Sequence, residues 1–158
     1  MVFEQVFNSK AVILNLESEN KDELFEEMLE AVLKIQPSID RAQALDALHE
    51  REKKMTTGIM HEIAVPHGVV ESANGVVGAI GISRKGIDYD SLDKAPVHVV
   101  FLLACNPQAT ELHLKVFKEL AAVLQNPAFV TEIMSKESPE SVYEYLTQKE
   151  FEGGLKLK

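Results

Sequence analysis

Over Lys21–Gln36, Leu24, Met28, Val32 and Ile35 stand at helical spacing with acidic residues between them, which predicts an amphipathic helix with one buried stripe. Pro37 ends it, because proline cannot continue the hydrogen-bond ladder. Asp40 is placed to cap a second helix running to about Lys53, with Ala44, Leu45 and Leu48 as its inward face. Ala11–Leu16, Ile63–Pro66, Gly75–Ser83 and Val97–Cys105 are short apolar runs, the last two rich in β-branched residues, and they predict strands. The near-continuous apolarity of those two indicates strands covered on both faces. A further helix is expected from about Thr110 to Leu124, and Asn126 and Ser138 precede two short helical segments, each with a proline near its first turn. Helices before, between and after strands predict an α/β fold, a helix–sheet–helix sandwich.

The chain has 158 residues, about the size of one domain. Residues 1–150 are expected to form it, with 151–158 as a frayed tail of two glycines and alternating Leu and Lys. Hydrophobic residues make up 46% and charged residues 26%, so a packed core is expected and a disordered or fibrous chain is excluded. The net charge of −9 repels phosphate backbones and acidic membranes, which argues against nucleic acid as a partner and against membrane binding. Val99–Cys105, the longest purely apolar stretch, is far short of the roughly 20 residues of a membrane span. The single cysteine, Cys105, has no internal partner, and Met1–Lys10 has no basic-then-apolar leader, so a cytoplasmic location is expected. Cys105 itself reads as a buried small hydrophobe.

Of five histidines, His61 and His67 share the most unusual context, His61-Glu-Ile-Ala-Val-Pro-His67-Gly. A zinc-protease helix needs His-Glu-x-x-His so that both imidazoles share one face, and here Val65 and Pro66 occupy the wrong places. His67 stands between Pro66, which sets the backbone before it, and Gly68, which leaves space beside the ring. A neutral imidazole is a good nucleophile, and with an ordinary pKa near 6.5 roughly three quarters of it is neutral at pH 7. From residue types alone, a solvated histidine in a strand-to-loop turn is the simpler reading.

His113 falls in the first turn of the predicted Thr110–Leu124 helix and shares a face with Phe117, Leu120 and Leu124. There it could donate to an anion at the positive helix end, or lie half-buried against a carbonyl. Arg51, near the edge of the second helix's stripe, could turn its fork of donors inward to phosphate oxygens or serve only the helix C-terminus. Gly75, Gly78 and Gly81 lie every third residue within a strand pattern. They mark close backbone packing and do not form a dinucleotide loop. The sequence contains no P-loop, G-x-S-x-G elbow or paired-cysteine site.

The segment Arg51-Glu-Lys-Lys-Met-Thr-Thr-Gly-Ile-Met-His-Glu-Ile-Ala-Val-Pro-His67-Gly resembles the signature of the fructose/mannitol-type IIA components of the bacterial phosphoenolpyruvate-dependent sugar phosphotransferase system. That pattern has Arg-Glu before a Thr-Gly loop, an Ile-Ala-Ile/Val-Pro-His-Gly core, and a later histidine opening a helix in a His-Leu context. The resemblance covers roughly Val12 to Leu146. Met60 departs from it, since the signature carries Gly or Ala there, and His61-Glu62 replaces a polar or glycine pair.

The resemblance implies a mixed five-stranded sheet with helices on both faces. It implies that His67 is phosphorylated by the histidine-containing phosphocarrier protein HPr and passes the group to a cysteine of a IIB component, with His113 and Arg51 beside the transferred group. Thr57 could add a hydroxyl or backbone donor. Phosphoryl transfer depends chiefly on positioning and on neutralising the equatorial oxygens, so side chains suffice and no metal or other cofactor is expected. Val65, Val69, Val70, Ile59 and Met60 are expected to form an apolar docking patch around His67. A regulatory member of the same family, of the nitrogen-regulatory type, would have a similar centre. A binding domain with an inert histidine turn is the remaining alternative.

Overall fold

The computed structural model describes the backbone of residues 2–58 and 61–156, and side chains within 2–58 and 61–148. Among the described residues, six α-helices and five strands follow one another as α1 (Val2–Val6), β1 (Val12–Ile13), α2 (Lys21–Ile35), α3 (Arg41–Lys54), β2 (Ile63–Ala64), β3 (His67–Val69), β4 (Val76–Ile87), β5 (Val97–Cys105), α4 (Thr110–Leu124), α5 (Phe129–Met134) and α6 (Pro139–Lys156), with one 3-10 turn at Ser9–Ala11. The caps form as their residue types dictate. Asn20 accepts from the Glu23 amide at the start of α2, and Asp40 accepts from the Gln43 amide at the start of α3.

The fold is α/β, with a mixed five-stranded open sheet. Its order is β1-β4-β5-β2, and β3 also pairs with β5. Only β4 and β5 run antiparallel; β1 on β4, and β2 and β3 on β5, are parallel. β2 and β3 are two pieces of one edge strand in a single register, with Ala64 opposite Val100 and His67 opposite Leu103. Pro66 interrupts the ladder because it has no amide hydrogen to give. Its carbonyl still accepts from the Leu103 amide at 3.0 Å, so the direction of the strand survives the break.

β5 explains the continuous apolarity of its sequence. Val99, Phe101, Leu103 and Cys105 face a core shared with Phe3, Val116, Leu120 and Phe129, while Val100, Leu102 and Ala104 face a second core with Leu24, Met28, Ala44 and Leu48. Cys105 is fully buried, and burial pushes its thiol up to about 12. Of the three glycines expected at close approaches, Gly78 and Gly81 are such points, where an added Cβ would stand 2.5 Å from the Phe7 ring at one and 2.5 Å from the Met28 sulfur at the other, whereas Gly75 has open space around it and is a turn residue with φ +64°.

Several expectations need correction. The Ala11–Leu16 run shrinks to two strand residues, and α1 has no counterpart in the predicted elements. α6 is long, and its backbone continues to Lys156 through the expected tail, whose side chains and last two residues lie outside the described residues. Among the described residues, no helix is long and apolar enough to cross a membrane.

Candidate active site

His67 opens β3, on the sheet edge beneath the C-terminal end of α3. The approach of these two elements depends on Gly68, where a Cβ would lie 2.9 Å from the backbone and the methyl of Ala47 and 3.1 Å from the Leu48 nitrogen. No side chain fits there, so α3 sits directly on β3 and its last turn, with Arg51, reaches the site.

The His67 ring is half-buried. Its Nδ1 lies 2.9 Å from the Val65 carbonyl oxygen. A carbonyl only accepts, so Nδ1 carries the proton and Nε2 keeps the free lone pair. Burial lowers the pKa of His67, and the charges of Arg51 and His113 add to this, against the opposing effects of the Val65 bond and of Glu52. The neutral form of the ring is therefore favoured more than in a free imidazole.

His113 and Phe117, one turn apart on α4, close over this ring. The His67 and His113 centroids are 5.9 Å apart, and Phe117 lies 4.7 Å from one and 4.9 Å from the other. His113 is half-buried, and burial lowers its pKa as well. The shared face of residues 113, 117, 120 and 124 read from the sequence is thus the face that meets the site. Phe117, a member of that stripe, contacts both histidines.

Arg51 and His67 line one cleft of about 230 Å³, together with Val65, Phe117, Leu120 and Leu124. Arg51 Nη1 donates to the Met55 carbonyl at 2.8 Å, closing the end of α3, and the side chain borders the cleft. The structure therefore brings His67, His113 and Arg51 into one neighbourhood.

Thr57 borders the same cleft, but both of its donors are engaged by Glu52. It is buried, its amide donates to Glu52 Oε2 at 2.8 Å, and its hydroxyl lies 2.7 Å from Glu52 Oε1 and 2.7 Å from the Tyr89 hydroxyl. Those groups tie the Thr57 loop to α3 and leave no hydroxyl hydrogen pointing outward. Lys21 Nζ completes the network, 3.1 Å from Glu52 Oε2. Burial alone would raise the Glu52 carboxyl, but the Thr57 bonds and Lys21 more than offset it and hold the group below the usual range. Sequence reasoning missed Glu52, Lys21 and Tyr89. A glutamate late in a helix reads as solvated, and nothing local announces a tyrosine 37 residues away.

The expected docking patch is also redrawn. Val65 and Val70 are buried and belong to the cores, and Ile59 and Met60 lie outside the described residues. Val69 is 57% exposed, and two further apolar residues near the site in sequence join it, Met55 at 59% and Leu114 at 64%. Among the described residues, no three His, Cys, Asp or Glu side chains gather as a set of metal ligands.

Comparison with known proteins bears on this arrangement. Residues 5–149 match the family described as "Phosphoenolpyruvate-dependent sugar phosphotransferase system, EIIA 2". The chain belongs to this family. A PTS system fructose-specific EIIABC component of Bacillus subtilis is 30% identical over 148 residues, which is 94% of this chain and 23% of that protein. The chain therefore spans about a quarter of that relative's length. A Nitrogen regulatory protein of Pseudomonas aeruginosa is 28% identical over 141 residues, 89% of this chain and 92% of that one. The crystal structure of Nitrogen Regulatory Protein IIA-Ntr from Neisseria meningitidis superposes on this EIIA domain with a TM-score of 0.85 at 28% identity, covering 92% of this chain and 99% of the other. EIIA domains of this family are phosphoryl carriers, and the relatives include both sugar-specific and nitrogen-regulatory proteins.

Proposed function

We propose that this EIIA domain accepts a phosphoryl group on Nε2 of His67 from HPr and passes it to a cysteine of a IIB component for sugar uptake. The observation that carries this reading is the Nδ1–H bond of His67 to the Val65 carbonyl, which fixes the tautomer of the neutral ring and leaves the Nε2 lone pair as the nucleophile beside Arg51 and His113. In the transfer, the Nε2 lone pair forms a bond to phosphorus as the donor's N–P bond breaks, and that electron pair returns to the donor's imidazole nitrogen. The Nδ1 proton stays on the ring, still held by Val65. The three equatorial oxygens carry the charge of the transition state, and the guanidinium of Arg51 and a ring N–H of His113 are the groups at hand to meet it. With imidazole and guanidinium donors at hand, the reaction proceeds in the cytoplasm without any resident cofactor.

Incubation with phosphoenolpyruvate and the two general transfer proteins tests the assignment. Wild type acquires an acid-labile phosphate, His67→Ala acquires none, and His113→Ala is labelled but passes the group on slowly. Equal labelling of wild type and His67→Ala reassigns the site, and no labelling of either leaves a binding domain with an inert histidine.

A second reading, signalling by phosphorylation state with no dedicated transporter, is favoured by the likeness to nitrogen regulatory proteins over nearly their whole length. Genes for IIB and IIC components beside this one support transport; their absence supports regulation.

A further inference from the structure

We propose that Phe117 is a positioning residue for phosphoryl transfer: its ring holds the His113 imidazole at the distance and angle from which it donates to the phosphoryl group on His67. This rests on the phosphoryl-carrier reading.

The two imidazoles of the site are held in different ways. His67 is tied through Nδ1 to the Val65 carbonyl at 2.9 Å. Among the described residues, no hydrogen bond or ion pair restrains the His113 ring. Its ring neighbours are Phe117, at 4.9 Å between centroids and 45° between planes, and His67, at 5.9 Å and 69°. Phe117 in turn meets the anchored His67 ring edge to face, at 4.7 Å and 68°. The phenyl ring therefore links the imidazole that is fixed to the one that is not.

The helix explains how it does so. Phe117 follows His113 by one turn of α4 on the same face, and long helical side chains lean toward the N-terminus, which carries the Phe117 ring over the turn that bears His113. The buried positions of α4 are Val116, Leu120 and Val123, whereas Phe117 is half-buried at the margin of that core and lines the cleft with Arg51 and His67. Filling the core accounts for those three residues but not for an aromatic ring on the cleft wall. A histidine without a hydrogen bond would exchange between rotamers, and each moment out of reach of the phosphoryl oxygens is lost to catalysis. In the step concerned, an imidazole nitrogen of HPr gives its lone pair to phosphorus as the N–P bond at His67 breaks and its electron pair stays on Nε2. His113 donates a hydrogen bond to an equatorial oxygen and keeps its proton.

The test is the single-turnover rate at which the phosphorylated full chain returns the group to HPr, measured by quench-flow in a double-mutant cycle with His113. With His113 present, Phe117→Leu is expected to slow this step about tenfold, and Phe117→Tyr, which keeps the ring, to stay near the wild-type rate. In a His113→Ala background, Phe117→Leu is expected to change the rate by less than about twofold, because the group it positions is gone. A core defect or a lost docking contact would slow both backgrounds alike, and that outcome overturns the proposal, as does a wild-type rate in Phe117→Leu. Should Phe117→Leu not fold, nuclear Overhauser contacts in wild type decide: they are expected between the Phe117 ring protons and the ring protons of both histidines, and their absence at His113 overturns the proposal. Failure of the carrier reading is separate, since wild type then takes up no phosphate while these contacts remain.

Discussion

At His67 a single hydrogen bond sets the tautomer of the ring. Proline before this residue and glycine after it are visible in the sequence, whereas the bond from Nδ1 to the carbonyl two residues back belongs to the folded sheet edge. Both histidines of the site have their pKa lowered, first of all by burial. NMR titration of the ring protons is therefore expected to place both midpoints below the ordinary value of about 6.5; a His67 midpoint above it contradicts the neutral nucleophile. The sign for stability follows. Between about pH 6.5 and the lower folded-state values the unfolded chain binds more protons, so acidification through this window destabilises the domain, while above it these rings leave stability unchanged. Urea midpoints should fall below about pH 6.5 more steeply in wild type than in His67→Gln. Residue types left His67, His113 and Arg51 with more than one reading each, and the resemblance of the Arg51–Gly68 segment to a family signature singled them out. Residue type could not select Glu52 or Tyr89, because the cue that a charged or phenolic group is buried comes from elements far away in the chain.

At the scale of elements, the divided edge strand and α3 form one device. Periodicity located α2, α3, α4 and β5 closely, since each repeats its apolar positions over enough residues to be read. It was weaker where an element is short: β1 has two residues, β3 three and α1 five. Such pieces hold their shape through neighbours and not through intrinsic propensity. Gly68 is the point where β3 and α3 meet, with backbone and not a flexible side chain in the way of any Cβ. Gly68→Ala is expected to cost about 1–3 kcal/mol in urea unfolding, and to slow phosphorylation further by moving the α3 turn that carries Arg51. Wild-type stability and labelling in this variant would show that the contact yields freely.

The whole molecule joins an acidic surface, net charge −9, to exposed apolar side chains at Met55, Val69 and Leu114. A protein-to-protein transfer needs a contact brief enough to release, and apolar anchors ringed by steering charges supply one. Val69→Asp with Leu114→Asp is expected to slow transfer from HPr about tenfold, with unfolding shifted by no more than about 0.5 kcal/mol. Unchanged transfer by the folded variant removes this surface from the donor's footprint.

Apolar spacing by itself determined the layers, because a strand that is apolar on both sides must be covered on both sides, and the Pro-His-Gly segment determined which imidazole to watch. The tertiary structure decided the rest: which nitrogen of that imidazole is bare, that Arg51 spans a helix end and a cleft, that Phe117 rests on two histidines, and that Glu52 is buried and charged. Spacing along a chain records which residues share a face, whereas hydrogen bonds and fields depend on distances between segments that only folding brings together.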